Sequence, residues 1–314
     1  MTDPTSLAVN LLLAGLLWVL LEGLANLLYP LIRPSVLRLA PHRAARVLMT
    51  LALLPAGLAL LLTVLVATPG LEPWLVTAHC HAGTGCSDHT PAALAPPAMA
   101  GLGLLTLLLL VLHVRRRLQP VLRNRAALRD LGGHARHIAA PSHGLIDHPQ
   151  PLALTTGLLR PQVWLTQGLV GQLADDAVAI VLAHESAHRQ RRDPLRHLLA
   201  GLARLWPQSR AVLADLYQAS EHNADLAAVA ISSPRRVAET LIDVQRLLQP
   251  APAEGQVAFA DGNLQDRIRR LLQPPTEPAH AGGSLALFAL ALVGAVFASI
   301  GPLHHLSEWL MGVA

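Results

Sequence analysis

Lysine is absent from this chain of 314 residues: all 24 basic side chains are arginine. Charge of either sign is scarce, at 14% of residues, where soluble globular proteins carry about 25%. That deficit, with a mean hydropathy of +0.42, argues against an ordinary cytosolic enzyme and for a membrane protein. Aromatic residues make up only 3%, too few for a platform on which nucleic-acid bases could stack. Two cysteines cannot build a disulfide framework. The formal charge of +4 hints at a nucleic-acid partner. The placement of the arginines points elsewhere, and no direct nucleic-acid binding is expected.

What the chain has in plenty is apolar residues, 52% of the total. Four stretches, Leu7–Tyr29, Val47–Thr68, Ala92–Val114 and Ser284–Leu303, are long and apolar enough to cross a bilayer, which needs about 20 residues. The first is too long and too poor in leading basic residues for a cleaved signal peptide. Pro55 and the Pro96–Pro97 pair fall inside spans, where membrane helices tolerate them. Four arginines (Arg33, Arg38, Arg43, Arg46) lie in the first connection, and the other 20 lie between Arg115 and Arg270. By the positive-inside rule these segments are cytoplasmic. Both termini and the 69–91 loop are then outside, as four spans require. The run Arg115–Arg117 is expected to anchor the third span to anionic lipid headgroups.

The expected domains are therefore a three-helix membrane region over 1–114, a cytoplasmic segment over 115–283 and a fourth span with a short outer tail over 284–314. Residues 115–130 read as a basic amphipathic helix near the membrane surface, broken by Gly132-Gly133. From 135 to 166 short apolar runs divided by Gly and Pro ("HIAAP", "GLID", "PLALTTG", "PQVWLT") signal strands and hairpins. From Val170 the pattern is helical, with Pro207 and Pro234 at helix boundaries and linkers at 250–255 and 274–283.

The chemistry concentrates in His184-Glu185-Ser186-Ala187-His188, at the end of the apolar helical run "DDAVAIVLAHESAH". Positions i and i+4 share a helix face, so both imidazoles can aim at one point. Zinc fits such a pair, and Glu185 beside it can take a proton from an attacking water instead of binding the metal. A catalytic zinc site wants a third protein ligand. Downstream, "SEHNADLAA" offers Glu221, with His222 as competitor; the two point about 100° apart on a helix, so only one can face the metal. Asp225, one turn after Glu221, can receive the outer N–H of a ligand histidine. Asp193, closing "HRQRRDP", either orients a ligand or caps the next helix. Tyr217 and His197 are candidates for an extra transition-state donor. Thr155, Thr156 and Gly157 sit on a segment that, as an edge strand, could pair with a substrate peptide.

The run "LTTGLLRPQVWLTQGLVGQLADDAVAIVLAHESAHRQRRDPL" followed by "EHNAD" resembles the M56 family of integral-membrane zinc peptidases. That is the family of the BlaR/MecR β-lactam sensors, itself related to the M48 group. The close likeness covers about 150–230, and three spans before the peptidase segment with one after it extend it to most of the chain. The resemblance implies His184, His188 and Glu221 as ligands of one Zn²⁺ per chain, and Glu185 as catalytic base. It matches Asp225 to the ExxAD aspartate. The fold expected is a multi-pass α-helical membrane protein with four transmembrane helices and an inserted cytoplasmic α+β zincin (gluzincin-like) domain, in a bacterial inner membrane. The implied substrate is a cytosolic protein, a winged-helix repressor of BlaI/MecI type, with self-cleavage as an activation step; a homodimer stays open. The β-lactam sensors carry a penicillin-binding domain after the fourth span. No counterpart stands before Ala314, so the trigger is expected to come from the outer loop, a partner or the membrane. An M48-like processing or quality-control protease and a receptor with structural zinc are the rival classes.

The outer loop contains "HCHAGTGCSDH". Cys80 and Cys86, facing an oxidising compartment, would close a small disulfide ring. Reduced, they would join His79, His81 and His89 as a copper- or zinc-sensing cluster. Glu22 and Asn26 lie one turn apart in the first span, where an acid is functional by default, or pairs with Arg33 or another helix.

Overall fold

The computed structural model describes residues 4–68, 97–132, 135–136, 143–206, 209–248 and 262–273, with scattered helical positions between 290 and 301. Helices α1 (Pro4–Leu37) and α2 (Pro41–Ala67) form an antiparallel pair joined by a three-residue corner, with Pro41 in the first turn of α2. Both are long and apolar enough to cross a membrane, and only 28% and 39% of their most apolar windows are buried. Leu27, Leu31 and Leu60 are exposed, the arrangement expected when lipid rather than protein covers a helix. Helix α3 (Pro97–Gly132) packs on α1 so closely that a Cβ on Gly103 would stand 2.0 Å from the Ala8 carbonyl oxygen. Glycine at such a crossing lets backbones meet.

The helix boundaries differ from the sequence expectation in two places. Helix α1 does not end at Tyr29 but runs through Pro30 and Pro34 to Leu37. Helix α3 does not stop at Val114 with a separate surface helix after it; it continues through Arg115–Arg117 and Pro120 to Gly132. Arg, Leu and Ala are strong helix formers, and nothing at the Val114–Arg115 junction interrupts them. The fourth apolar stretch lies largely outside the described residues, although Val296 packs with Leu17, Leu21, Ala59 and Leu62. The 69–91 segment with Cys80, Cys86, His79, His81 and His89 lies outside them altogether.

Strands β1 (Ala135–Arg136), β2 (His143–Ile146), β3 (Ala153–Thr156) and β4 (Gln162–Thr166) form one sheet in the order β1-β2-β4-β3. β3 pairs antiparallel with β4, Thr155 opposite Val163, and its other edge is unpaired within the sheet. Gly157, at φ +102°, opens the β3–β4 turn; a side chain there would also press on the Arg160 carbonyl. Thr166 ends β4, and its hydroxyl caps the short helix α4 (Gln167–Val170).

The helical part follows as α5 (Asp175–Arg191), α6 (Asp193–Leu202), α7 (Arg210–Val229), α8 (Pro234–Leu248) and α9 (Gly262–Leu272). Asp175 and Asp176 stand in the first turn of α5, and His188, Arg189 and Arg191 in its last, both signs complementing the helix dipole. Two cores organise these helices. Ile180, Ala228, Val237, Ala238 and Leu271 join α5, α7, α8 and α9. Tyr29, Val36, Ala45, Leu48, Val212 and Leu216 lock α7 against the adjoining ends of α1 and α2, on either side of their corner.

Polar contacts reinforce that second junction. Asp215 of α7 accepts a hydrogen bond from the Tyr29 hydroxyl at 2.6 Å and a two-pronged one from Arg33 at 2.6 and 2.9 Å. Glu22, fully buried in α1, does not pair with Arg33. Its carboxylate accepts from the backbone N–H groups of Leu205 at 2.8 Å and Trp206 at 3.2 Å, and from the Ser209 hydroxyl. Asn26 donates to the same Ser209 oxygen at 3.1 Å. A carboxylate this deep is sustained by the donors it collects. Glu22 thus fastens the α6–α7 connection to the first membrane-type helix.

Candidate metal centre

Two helices, α5 and α7, converge on one point. The single-turn spacing on α5 places the Nε2 atoms of His184 and His188 3.2 Å apart, facing each other. Glu221, on α7, presents Oε2 at 3.4 Å from the first and Oε1 at 3.4 Å from the second. All three ligand atoms lie within 4.8 Å of one another.

Each imidazole is oriented from behind. Helix α5 ends at Arg192, whose left-handed backbone (φ 53°) turns the chain sharply into the Asp193-Pro194 start of α6. That turn brings Asp193 back beneath the helix it has just left, 2.8 Å from His188 Nδ1. Asp193 orients a histidine; its side chain makes no helix cap. Asp225, one turn after Glu221 on α7, stands 3.0 Å from His184 Nδ1. Protons on the two outer nitrogens leave both inner nitrogens as lone-pair donors beside an anionic oxygen. Two imidazoles and a carboxylate are the donor set that zinc takes, so the residues fit that ion.

The electrostatics agree. Burial works against charge on His188, yet the Asp193 hydrogen bond and the Glu221 carboxylate hold its pKa at about 9. His184 is raised in the same sense, burial being outweighed by Asp225 and Glu221. Glu221 is driven far below the ordinary carboxylate range despite its burial, by the two histidines.

Glu185 stands outside the ligand set. Its Oε2 accepts a 2.7 Å hydrogen bond from the Thr155 hydroxyl, which also touches the Glu185 carbonyl at 2.9 Å. Of the expected edge-strand residues, Thr155 therefore reaches the site. No hydrogen bond links Thr156 to it among the described residues, and Gly157 serves the hairpin turn. His222 points away from Glu221, toward Asp266 on α9 at 3.4 Å, and burial lowers its pKa to about 4. His197 packs against Tyr217 with the rings tilted by 59°, and meets the Ser220 hydroxyl at 3.0 Å; neither ring lines the cleft, so neither is placed as a transition-state donor.

A cavity of about 240 Å³ opens beside Glu185, walled by Ile180, Val181, Ala228, Val237, Leu241 and Val244, with Arg267 at its rim. Residues 116–256 match the family model of peptidase family M48. The match takes in the sheet, α5 with its HExxH turn, Glu221 and Asp225, so this region is similar to an M48 peptidase domain, and two apolar helices precede it. M48 peptidases are zinc enzymes, in keeping with the His–His–Glu cluster. No curated protein and no solved structure gives a significant match.

Sequence reasoning missed Arg267. It reaches in from α9, with Nε and Nη2 on the two Asp225 oxygens at 2.9 and 2.6 Å and Nη1 on Glu221 Oε2 at 3.1 Å. The only sequence signal was the helical spacing of Leu264, Ile268 and Leu271 around it.

Proposed function

We propose that this protein is a membrane-bound zinc endopeptidase that cleaves a cytosolic protein. The observation that carries the proposal is the convergence of His184, His188 and Glu221 next to a carboxylate, Glu185, held off the metal set by Thr155. Zinc held by His184, His188 and Glu221 would supply Lewis-acid polarisation of the scissile carbonyl and acidify water enough for attack at neutral pH. Glu185 takes the proton of that water and delivers it to the leaving amine. Thr155 keeps the carboxylate turned toward the cleft. The unpaired edge of β3, one strand from the base, is the place for an extended substrate, and the adjoining cavity suits an apolar side chain.

The arginine distribution supports a cytoplasmic active site and outer termini, with four spans in the inner membrane and a peptidase segment near 115–283. The M56-like order of spans supports a BlaI/MecI-type repressor as substrate, in transmembrane signalling. The M48-type match favours a second reading, a processing or quality-control protease acting on membrane proteins. Co-expression of candidate repressors with the wild type and with Glu185→Gln, followed by mass spectrometry of fragments, tests the proposal. Cleavage should vanish in the variant while zinc stays bound. Cleavage by zinc-loaded Glu185→Gln refutes the role of the base, and fragments only of misfolded membrane proteins select the second reading.

A further inference from the structure

The strongest unassigned feature is the arginine on α9. Arg267 is only 15% exposed, and all three of its guanidinium nitrogens are committed to two acids of the ligand helix. Asp225 beneath it is 2% exposed and faces His184 on its other side. Glu221 has two oxygens; Arg267 holds Oε2, and Oε1 faces His188. The helix that supplies Arg267 begins at Gly262, beyond the last family-matched residue, 256. It docks by burying Leu264 and Leu271, and by Arg270 donating to the Leu37 carbonyl at the end of α1 at 3.2 Å.

We propose that Arg267 is a positioning residue of the metal centre. It clamps Asp225 against His184 and restrains one oxygen of Glu221, so that α9 is an integral part of the site. The proposal rests on the zinc-centre reading above. Two effects of the guanidinium oppose each other. As a cation 3.1 Å from a ligand oxygen it repels an incoming divalent ion, so by charge alone its removal would tighten zinc binding. As the fork that fixes both acids, its removal lets them turn from the geometry that aligns His184 and Glu221, which weakens binding. The sign of the change therefore decides between a mere neighbour and a positioning group.

The test uses the full chain in detergent, metal-stripped, with zinc affinity measured by competition against a chromophoric chelator and the visible spectrum recorded with Co²⁺. Wild type should take one zinc. Arg267→Gln should bind it about 10–100-fold more weakly, the usual loss for a group that orients ligands. Its Co²⁺ spectrum should change, which a role confined to packing would not cause. Arg267→Lys restores the charge without the fork and should recover only part of the affinity. It decides the matter alone should the Gln form not fold. Affinity equal to or tighter than wild type with an unchanged Co²⁺ spectrum, in either folded variant, overturns the proposal. A wild type that takes no zinc overturns the metal-centre reading, and the proposal with it.

Discussion

Removal of the Glu22 carboxylate is the sharpest test of how the peptidase helices are held to the apolar ones. Glu22 is fully buried and satisfies two backbone N–H groups, of Leu205 and Trp206, and the Ser209 hydroxyl. It is also the nearest countercharge to Arg204, itself 1% exposed and 4.0 Å away. Glu22→Ala leaves these donors without an acceptor in a place water does not reach. Each orphaned buried group costs about 1–3 kcal/mol, and breaking a buried charge pair costs about 3–5 kcal/mol. The groups share one carboxylate, so the losses overlap rather than add; a total of about 3–5 kcal/mol follows. At roughly 2–4 °C per kcal/mol for a large domain, the midpoint of thermal unfolding should fall by roughly 6–20 °C. Glu22→Gln keeps one acceptor oxygen and should recover about half of the loss. Tryptophan fluorescence during heating in detergent is the natural assay. The indoles of Trp18 and Trp206 donate to the Ala203 and Val19 carbonyls across this same junction. A Glu22→Ala protein that melts within about 1 °C of wild type would refute the idea that this contact carries the junction.

Three further outcomes follow from the metal centre. Asp193→Asn keeps the shape but not the charge behind His188, and should weaken zinc binding by about 10–100-fold in chelator competition; unaltered affinity would remove Asp193 from the site. Thr155→Val removes the donor to Glu185 and should lower turnover by on the order of tenfold while leaving zinc affinity unchanged. A parallel loss of zinc would show that the hydroxyl acts on the ligands instead. Finally, both histidines of the cluster have raised pKa values, His188 to about 9, so near pH 7 His188 holds a proton that a metal must displace. Zinc binding should therefore release protons, and the affinity should climb with pH until about 9 and then level off. Calorimetry in buffers of different ionisation enthalpy reads the release directly, and a heat independent of buffer would contradict it.

The parts of this site that could be read from the chain are those set by one helical turn. His184 and His188 share a face because the helix repeat places them there, and Glu221 and Asp225 do so for the same reason. The apolar lengths of α1 and α2 announce themselves equally directly. What stayed hidden depends on partners distant in sequence. Glu22 stood out as an acid among leucines, but its partners at 205 and 206 are backbone N–H groups, which leave no mark in the residue letters. Arg267 is one of 20 arginines between 115 and 270, and only the docking of α9 sets it apart. Asp193 comes to lie against His188 through the left-handed turn at Arg192, a conformation that arginine does not advertise.

The docking of α9 bears on how the molecule can be handled. A soluble fragment trimmed to the family-matched 116–256 would discard Arg267 from behind Asp225. It would also strip Tyr29 and Arg33 from Asp215, and Ala45, whose carbonyl lies 3.4 Å from Arg196, itself a partner of Asp193. Between them, the two cuts would take part of the scaffolding from both acids behind the histidines. Excision at those borders should yield a piece that binds its ion more weakly, and the smallest working unit begins within α1 and runs past residue 267.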